Sequence, residues 1–360
     1  MPRLLLLTGA DPVAPSQGDE WRAHGLLRGL LALGEVTVVQ WGGARRGSHR
    51  YVPLGRGEWV RRAVRGLGAG PPLVLAPFRA DRPAVPGRFD LVAVYPLKLA
   101  PWAFDVDARV RVLDLADSLG LLAARLKGRG TWAARVRLYG VAAAEAAWAR
   151  RFDEVWVAAE ADAAWLRARG VAPRVVPNGV PEIRPLGWQD PRQLLFVGNL
   201  AYPPNRLGLA DFLRRVWPEL ARAGYRLTAV GRGTEGIRAP GVAGKGWVPD
   251  VRPYYAAAGA VVAPIRVGAG TPTKVLEALA FGRPVVAWAE GVGGLTEAQR
   301  AAVLTVAEPG EWRDALAALA DRGEWERRVA AGLGAVEPWG AAQAARLTAL
   351  LGIDGVRREV

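Results

Sequence analysis

From Gly268 to Val286 the chain reads Gly-Ala-Gly-Thr-Pro-Thr-Lys-Val-Leu-Glu-Ala-Leu-Ala-Phe-Gly-Arg-Pro-Val-Val. This order of residue types predicts a tight glycine loop, a helix with Lys274 and Glu277 on its first turns, a glycine stop and a buried strand. Backbone N–H groups around Gly268, Gly270 and Thr271 can approach an anion closely, and the helix N-terminus behind them favours negative charge. Lys274 adds a full positive charge at the same end. Lysine occurs only at Lys98, Lys127, Lys245 and Lys274, with arginine used elsewhere, so its choice here is informative. Glu277 follows three residues later and projects from roughly the same helix face. A cation for a diphosphate beside a carboxylate for a ribose diol outlines a nucleotide-sugar site.

Other stretches carry weaker versions of the same chemistry. Thr8 to Arg22 reads as a long loop feeding a helix, and Gly18 near that helix start would let a phosphate approach the backbone. A turn with a helix cap explains it equally well. Leu194 to Arg206 reads as a buried strand ending at Gly198, then a polar loop carrying Asn199, Asn205 and Arg206. An arginine at a helix start opposes the helix dipole unless an anion lies nearby; the alternative is a solvated side chain. Arg232 sits in one more glycine-hinged loop, and the backbone around Trp247 and Val248 offers a turn that can pair with a base edge.

Several classes are excluded. The loop after the first strand, Thr8 to Arg22, carries no G-x-G-x-x-G fingerprint, which argues against a dinucleotide-dependent dehydrogenase. With no cysteine and only His24 and His49, thiol chemistry, a histidine-rich metal site and a serine–histidine triad are all disfavoured. No cofactor and no metal are expected.

The elements that must position these residues alternate regularly. Strands are expected at Arg3–Thr8, Glu35–Gln40, Leu73–Ala76, Asp90–Tyr95, Val110–Asp114 and Glu154–Ala158. Helices fit between them at Glu20–Leu33, Glu58–Gly66, Ser118–Lys127, Trp132–Arg151 and Ala161–Arg169. The proline-rich Val171–Pro185 is expected to break regular structure as a hinge. A second series follows, with strands at Gln193–Gly198, Arg226–Gly231, Val261–Pro264, Pro284–Trp288 and Ala302–Thr305. Its helices are expected at Arg206–Ala223, Val251–Ala257, Thr273–Phe281 and Glu311–Asp321, with a helical tail at Glu324–Gly332 and Ala341–Leu351. The fold class is α/β: two doubly wound, Rossmann-like domains facing each other across a cleft. Residues 1–182 form the first domain, 183–336 the second, and 337–360 a helix packing back toward the first.

The chain has 360 residues, 51% of them hydrophobic, and no apolar run approaches the roughly 20 residues of a membrane span. The opening Leu4–Leu7 is too short for a signal peptide core and reads as a first strand. A cytoplasmic location is expected. The net charge of +14 falls mostly in the first half, with seven arginines between Arg45 and Arg65 around Trp59. Either this is a solvated helix face, or it meets an anionic membrane or phosphorylated acceptor. No nucleic-acid module accompanies it, so nucleic acid is not an expected partner.

The order and spacing of these stretches resemble retaining glycosyltransferases of the GT-B fold, family 4 type, closest to the bacterial sugar transferases of polysaccharide biosynthesis. The matching elements are Pro177-Asn-Gly-Val180, Phe196 to Asn205, Val216-Trp-Pro218, Val230-Gly-Arg232, Gly246 to Tyr254 and Lys274 to Val286. Pro15–Arg22, Val112–Ser118 and Glu154–Leu166 match more loosely. The resemblance implies transfer of a sugar from a nucleotide-diphosphate sugar to a lipid-linked or saccharide acceptor, with retention. It makes Glu277 the ribose carboxylate, Lys274, Arg206 and the Gly268–Thr271 backbone the donor-phosphate contacts, and Gly246–Val248 the base-recognition loop. Gly18 would cover the diphosphate. Gly198, Asn199, Arg232, Gly294 and Leu295 complete the implied donor site, and Lys274 and Arg206 would stabilise the departing diphosphate.

Two positions depart from the family pattern. Ala269 replaces the first glutamate of the usual Glu-x7-Glu pair, and Gly293 stands where an acidic residue usually precedes Gly294-Leu295. Relatives often place a histidine at the end of the strand read here as Val110–Asp114, where this chain offers Asp114 or Asp117. Either Asp114 or Asp117 would orient the acceptor hydroxyl, and Asp117 reads equally well as a residue of a helix cap. Two alternatives to a transferase follow: a degenerate nucleotide-sugar-binding protein, or a nucleotide-sugar epimerase of the same fold.

Overall fold

The structure, a computed structural model, describes residues 1–13, 15, 18–41, 50–52, 75, 83–125, 139–180, 182–266 and 271–352. The chain divides into two units, Met1–Gly179 with Trp339–Val360, and Val180–Pro338.

The first unit is built on strands β1 (Arg3–Thr8), β2 (Glu35–Trp41), β3 (Arg50–Val52), β4 (Arg88–Tyr95), β5 (Asp107–Ala116), β6 (Glu154–Val157) and β7 (Pro173–Val175). All pair in parallel, in the order β3-β2-β1-β4-β5-β6-β7. Helix α1 (Gly18–Leu31) follows β1, and a 3-10 turn (Leu97–Ala103) follows β4. Then come α2 (Leu119–Arg125), α3 (Val141–Ala149) and α4 (Glu160–Arg167). Parallel strands covered on both faces must be apolar on both, and Leu4, Leu5, Leu6 and Leu7 are all fully buried. One core lies on each side of the sheet.

The second unit repeats the plan with β8 (Gln193–Val197), β9 (Arg226–Val230), β10 (Val242–Gly244), β11 (Ala260–Ala263), β12 (Val285–Trp288) and β13 (Val303–Val306). Their order is β10-β9-β8-β11-β12-β13, again all parallel. The helices are α5 (Pro203–Arg215), α6 (Trp217–Arg222), α7 (Arg252–Ala257), α8 (Thr273–Ala280), α9 (Glu297–Ala301), α10 (Glu311–Ala318) and α11 (Arg322–Gly334). The last helix, α12 (Ala341–Leu351), belongs to the first unit and lies along α1. A Cβ on Gly25 would meet the Gly340 nitrogen at 2.8 Å, so the two helices meet where a glycine permits it.

In both sheets the winding reverses between the first and fourth strands, β1/β4 and β8/β11. Open α/β sheets bind ligands beyond the carboxyl ends of the strands at such a switch point.

The sequence expectation needs two corrections. Residues 171–185 are not free of regular structure, because Pro173–Val175 forms the edge strand β7, and a proline is tolerated as the first residue of an edge strand. The expected helix Arg206–Ala223 is two helices broken at Val216. Pro218 lacks an N–H and would clash inside a continuous helix, yet fits the first turn of a new one. The expected strand Leu73–Ala76, helix Glu58–Gly66 and start of helix Trp132–Arg151 fall wholly or mainly outside the described residues.

Candidate functional site

In the second unit the end of β8 holds the residues with the most chemistry. Gly198 N donates to the Val230 carbonyl (2.8 Å) and Leu200 N to that of Arg232 (2.9 Å), joining the loops after β8 and β9. Gly231 sits at φ +129°, and a Cβ there would lie 2.2 Å from the Gly198 carbonyl oxygen, so only glycine allows this contact. Asn199 Oδ1 accepts from Ala201 N (2.9 Å), and Asn205 Nδ2 donates to the Asn199 carbonyl (2.9 Å).

The other end of the Asn205 amide faces Lys274. Lys274 Nζ donates to Asn205 Oδ1 and lies 5.4 Å from the Phe196 ring centroid. Among the described residues no carboxylate pairs with this ammonium, and its burial lowers its pKa to about 7. Such a cation gains from an incoming anion, which restores its charge.

Glu277, one turn further along α8, is held differently. Tyr255 Oη donates to Glu277 Oε2 (2.8 Å). The Tyr255 ring is fully buried and stacks on Phe281, with centroids 4.8 Å apart. Burial raises the Glu277 pKa, and the phenol hydrogen bond opposes that rise. Arg283, also buried, donates to the Tyr255 carbonyl (2.7 Å) and to those of Leu186 (3.2 Å) and Gly187 (2.8 Å).

The surrounding loops are tied down at their bases. Thr234 Oγ1 donates to the carbonyls of Ala229 (3.1 Å) and Gly231 (2.8 Å) and accepts from Gly246 N (2.9 Å). This fixes the turn that leaves Trp247 58% exposed and Val248 half-buried. Thr271 Oγ1 donates to the Gly294 carbonyl (2.9 Å), and Leu295 beside it is buried. Arg206, in the first turn of α5, and Arg232 are exposed. Gly268 and Gly270, with Ala269, lie outside the described residues.

In the first unit the β5 end carries a bulge where pairing with β6 shifts register between Asp114 and Ala116. Ala116 adopts φ +55°, and Asp114 Oδ1 accepts its N–H (2.9 Å). Bulges re-aim the side chains that follow them. Asp114 is fully buried and accepts from Arg22 Nε (2.9 and 2.8 Å), while Arg22 also donates to the Val176 carbonyl (3.1 Å) and Asn178 Oδ1 (2.5 Å). Asp114 is therefore committed to an internal ion pair.

Asp117 is half-buried. Its pKa rises to about 8, mainly through burial and then through Asp162 and Asp114, against the pull of Arg22. It does not cap α2. Ser118 does, accepting from Leu121 N (3.0 Å), with Glu145 accepting from Leu119 N (2.8 Å) and Gly120 N (3.2 Å). Burial lifts Glu145 to about 7. Gly18 is the first residue of α1. Nearby, Lys98 folds over Gly9, where a Cβ would meet its Cε at 2.9 Å. Burial lowers the Lys98 pKa while Asp19 opposes that fall.

Sequence reasoning missed Tyr255, Arg283, Thr234 and the Arg22–Asp114 pair. Thr234 acts within its own loop and on Gly246, and the others through contacts between distant segments, for which spacing gives no signal. Only the scarcity of lysine could have drawn attention to Lys98.

Residues 191–322 match the family model of glycosyl transferases group 1. No curated protein matches the chain by sequence. WaaG, a glycosyltransferase involved in lipopolysaccharide biosynthesis, is similar with a TM-score of 0.63 and 16% identity, over 98% of this chain and 100% of that one. The alpha,alpha-trehalose 6-phosphate synthase of Burkholderia multivorans gives 0.66 and 14%, over 98% and 97%. HepE of Anabaena, solved in complex with UDP-glucose, gives 0.61 and 14%, over 97% and 98%. The two Rossmann-like sheets of this chain are those of the GT-B fold.

Proposed function

We propose that this chain, a glycosyltransferase of the GT-B fold, moves a sugar from a nucleotide-diphosphate sugar to a lipid-linked or polysaccharide acceptor, retaining the anomeric configuration. The observation that carries this reading is Lys274, a half-buried ammonium at the end of β8 with no carboxylate partner among the described residues. It stands at the switch point of its own sheet and suits a diphosphate. Glu277, already fixed by Tyr255, suits the ribose diol. The HepE complex with UDP-glucose supports a donor of this kind.

In this account the bond between C1 of the sugar and the β-phosphate oxygen breaks while C1 joins the acceptor oxygen on the same face. The acceptor proton passes to the departing phosphate. No metal and no enzyme nucleophile take part, so the barrier falls mainly by stabilising charge that builds on the diphosphate. Lys274, with Arg206 and backbone N–H groups, supplies that by fixed electrostatics. Asp117, largely uncharged at pH 7, orients the acceptor hydroxyl. Trp247 and Val248 flank the base, while Gly18, Gly198, Asn199, Arg232, Gly268, Gly270, Thr271, Gly294 and Leu295 line the donor. With Ala269 in place of a glutamate, the sugar is selected by backbone more than by a carboxylate.

The test is a panel of UDP-, GDP- and dTDP-sugars followed by thermal shift, since a ligand of the folded state raises its stability by mass action. Slow release of nucleoside diphosphate from the stabilising donor, without acceptor, is the expected result. A donor that binds and is never cleaved would make the chain a binding protein instead.

A further inference from the structure

Tyr255 lies on α7, within none of the stretches that bear the donor, yet it is tied to the donor site from both ends. Its phenol donates to Glu277 Oε2 at 2.8 Å. Its carbonyl accepts from Arg283 at 2.7 Å, and Arg283 leans on the last turn of α7 again through the Ala256 carbonyl (3.4 Å). Glu277 and Arg283 flank the turn at the end of α8, where Gly282 takes φ +63°. The segment 277–283 thus grips α7 twice, once by accepting a hydrogen bond and once by donating two. Between the two grips the ring is clamped against Phe281.

We infer that Tyr255 is a positioning residue that orients the Glu277 carboxylate for a ribose cis-diol, so that ribonucleotide preference depends on a hydroxyl that does not itself touch the nucleotide. This rests on the reading of Glu277 as the ribose carboxylate.

The chemistry supports such a division of labour. A carboxylate has about four lone-pair sites. Tyr255 occupies one on Oε2, leaving Oε1 and the rest of Oε2 for two adjacent hydroxyls. Among the described residues no cation pairs with Glu277, and its burial favours the neutral acid. The phenol hydrogen bond is the contact that favours the charged, acceptor-only form. Without it the carboxylate loses both its fixed rotamer and part of its capacity to accept.

The experiment compares binding of UDP and GDP with their 2′,3′-dideoxy counterparts, in wild type, Tyr255→Phe, Glu277→Gln, the double variant and Phe281→Leu. Wild type should prefer the ribo form of the nucleotide it binds by roughly tenfold or more, the scale of hydrogen bonds to a charged group. Tyr255→Phe should bring that ratio close to one while the dideoxy affinity and Tm stay near wild type. The double variant should lose no more than Glu277→Gln alone, because the two residues act as one unit. Phe281→Leu disturbs the ring packing without touching the hydroxyl and should keep the ratio. Full preference in Tyr255→Phe, or equal loss of ratio in Phe281→Leu, overturns the inference and leaves the donor site standing. A wild type that binds ribo and dideoxy forms equally overturns the ribose reading of Glu277 and this inference with it.

Discussion

Lys274 and Asp117 are displaced in opposite directions by the same cause, and each yields a test. Burial lowers Lys274 to about 7. A bound diphosphate raises it, so binding takes up a proton wherever the free lysine is neutral. Affinity for UDP-glucose, whose diphosphate diester does not titrate in this range, should be full below about pH 7. It should fall above it, approaching tenfold per pH unit. Calorimetric titration from pH 6 to 8.5 checks this, and a flat profile would remove Lys274 from the diphosphate. Asp117 has a folded-state pKa of about 8, far above its unfolded value. The folded state therefore holds the extra proton, and stability is lost as pH rises from about 4 through 8. Asp117→Asn should raise Tm, more at pH 8 than at pH 5. A variant that lowers Tm at pH 8 would show the carboxylate to be stabilising instead.

At the level of elements the site depends on how closely two loops approach. A methyl group at position 231 would collide with the Gly198 carbonyl oxygen. Gly231→Ala should therefore cost about 2–4 kcal/mol in urea unfolding and weaken donor binding with it. A change below about 0.5 kcal/mol would mean the β8 and β9 loops can part freely. Much of this arrangement was legible from residue types alone. Strands such as β1, β4 and β12 announce themselves as apolar runs, and α8 carries its own stop at Gly282. The missed strands β3, β7 and β10 are three-residue edge strands, too short for any period to show. Lys274 and Glu277 stood out because one segment carries both. Tyr255 did not, since its value lies in a contact with a residue 22 positions away that no spacing rule connects. Asp114 and Asp117 looked interchangeable in sequence. The bulge at Ala116 and the buried Arg22 separate them, one into an ion pair and the other into a half-buried place where burial and Asp162 raise its pKa.

For the whole molecule, sequence and fold give different kinds of information. Among the described residues no helix is long and apolar enough to cross a membrane. The arginines from Arg45 to Arg65 lie almost wholly outside the described residues, so their role rests on composition. If they meet a membrane, the protein should co-sediment with anionic vesicles and be released by salt; equal binding to neutral vesicles would contradict an electrostatic contact. The central claim is that one half-buried lysine stabilises the departing diphosphate. It is tested most directly by steady-state release of nucleoside diphosphate from the selected donor, comparing wild type with Lys274→Ala of unchanged circular dichroism. The account predicts a kcat lower by roughly 10²–10³ in the variant, whereas turnover at the wild-type rate would contradict it.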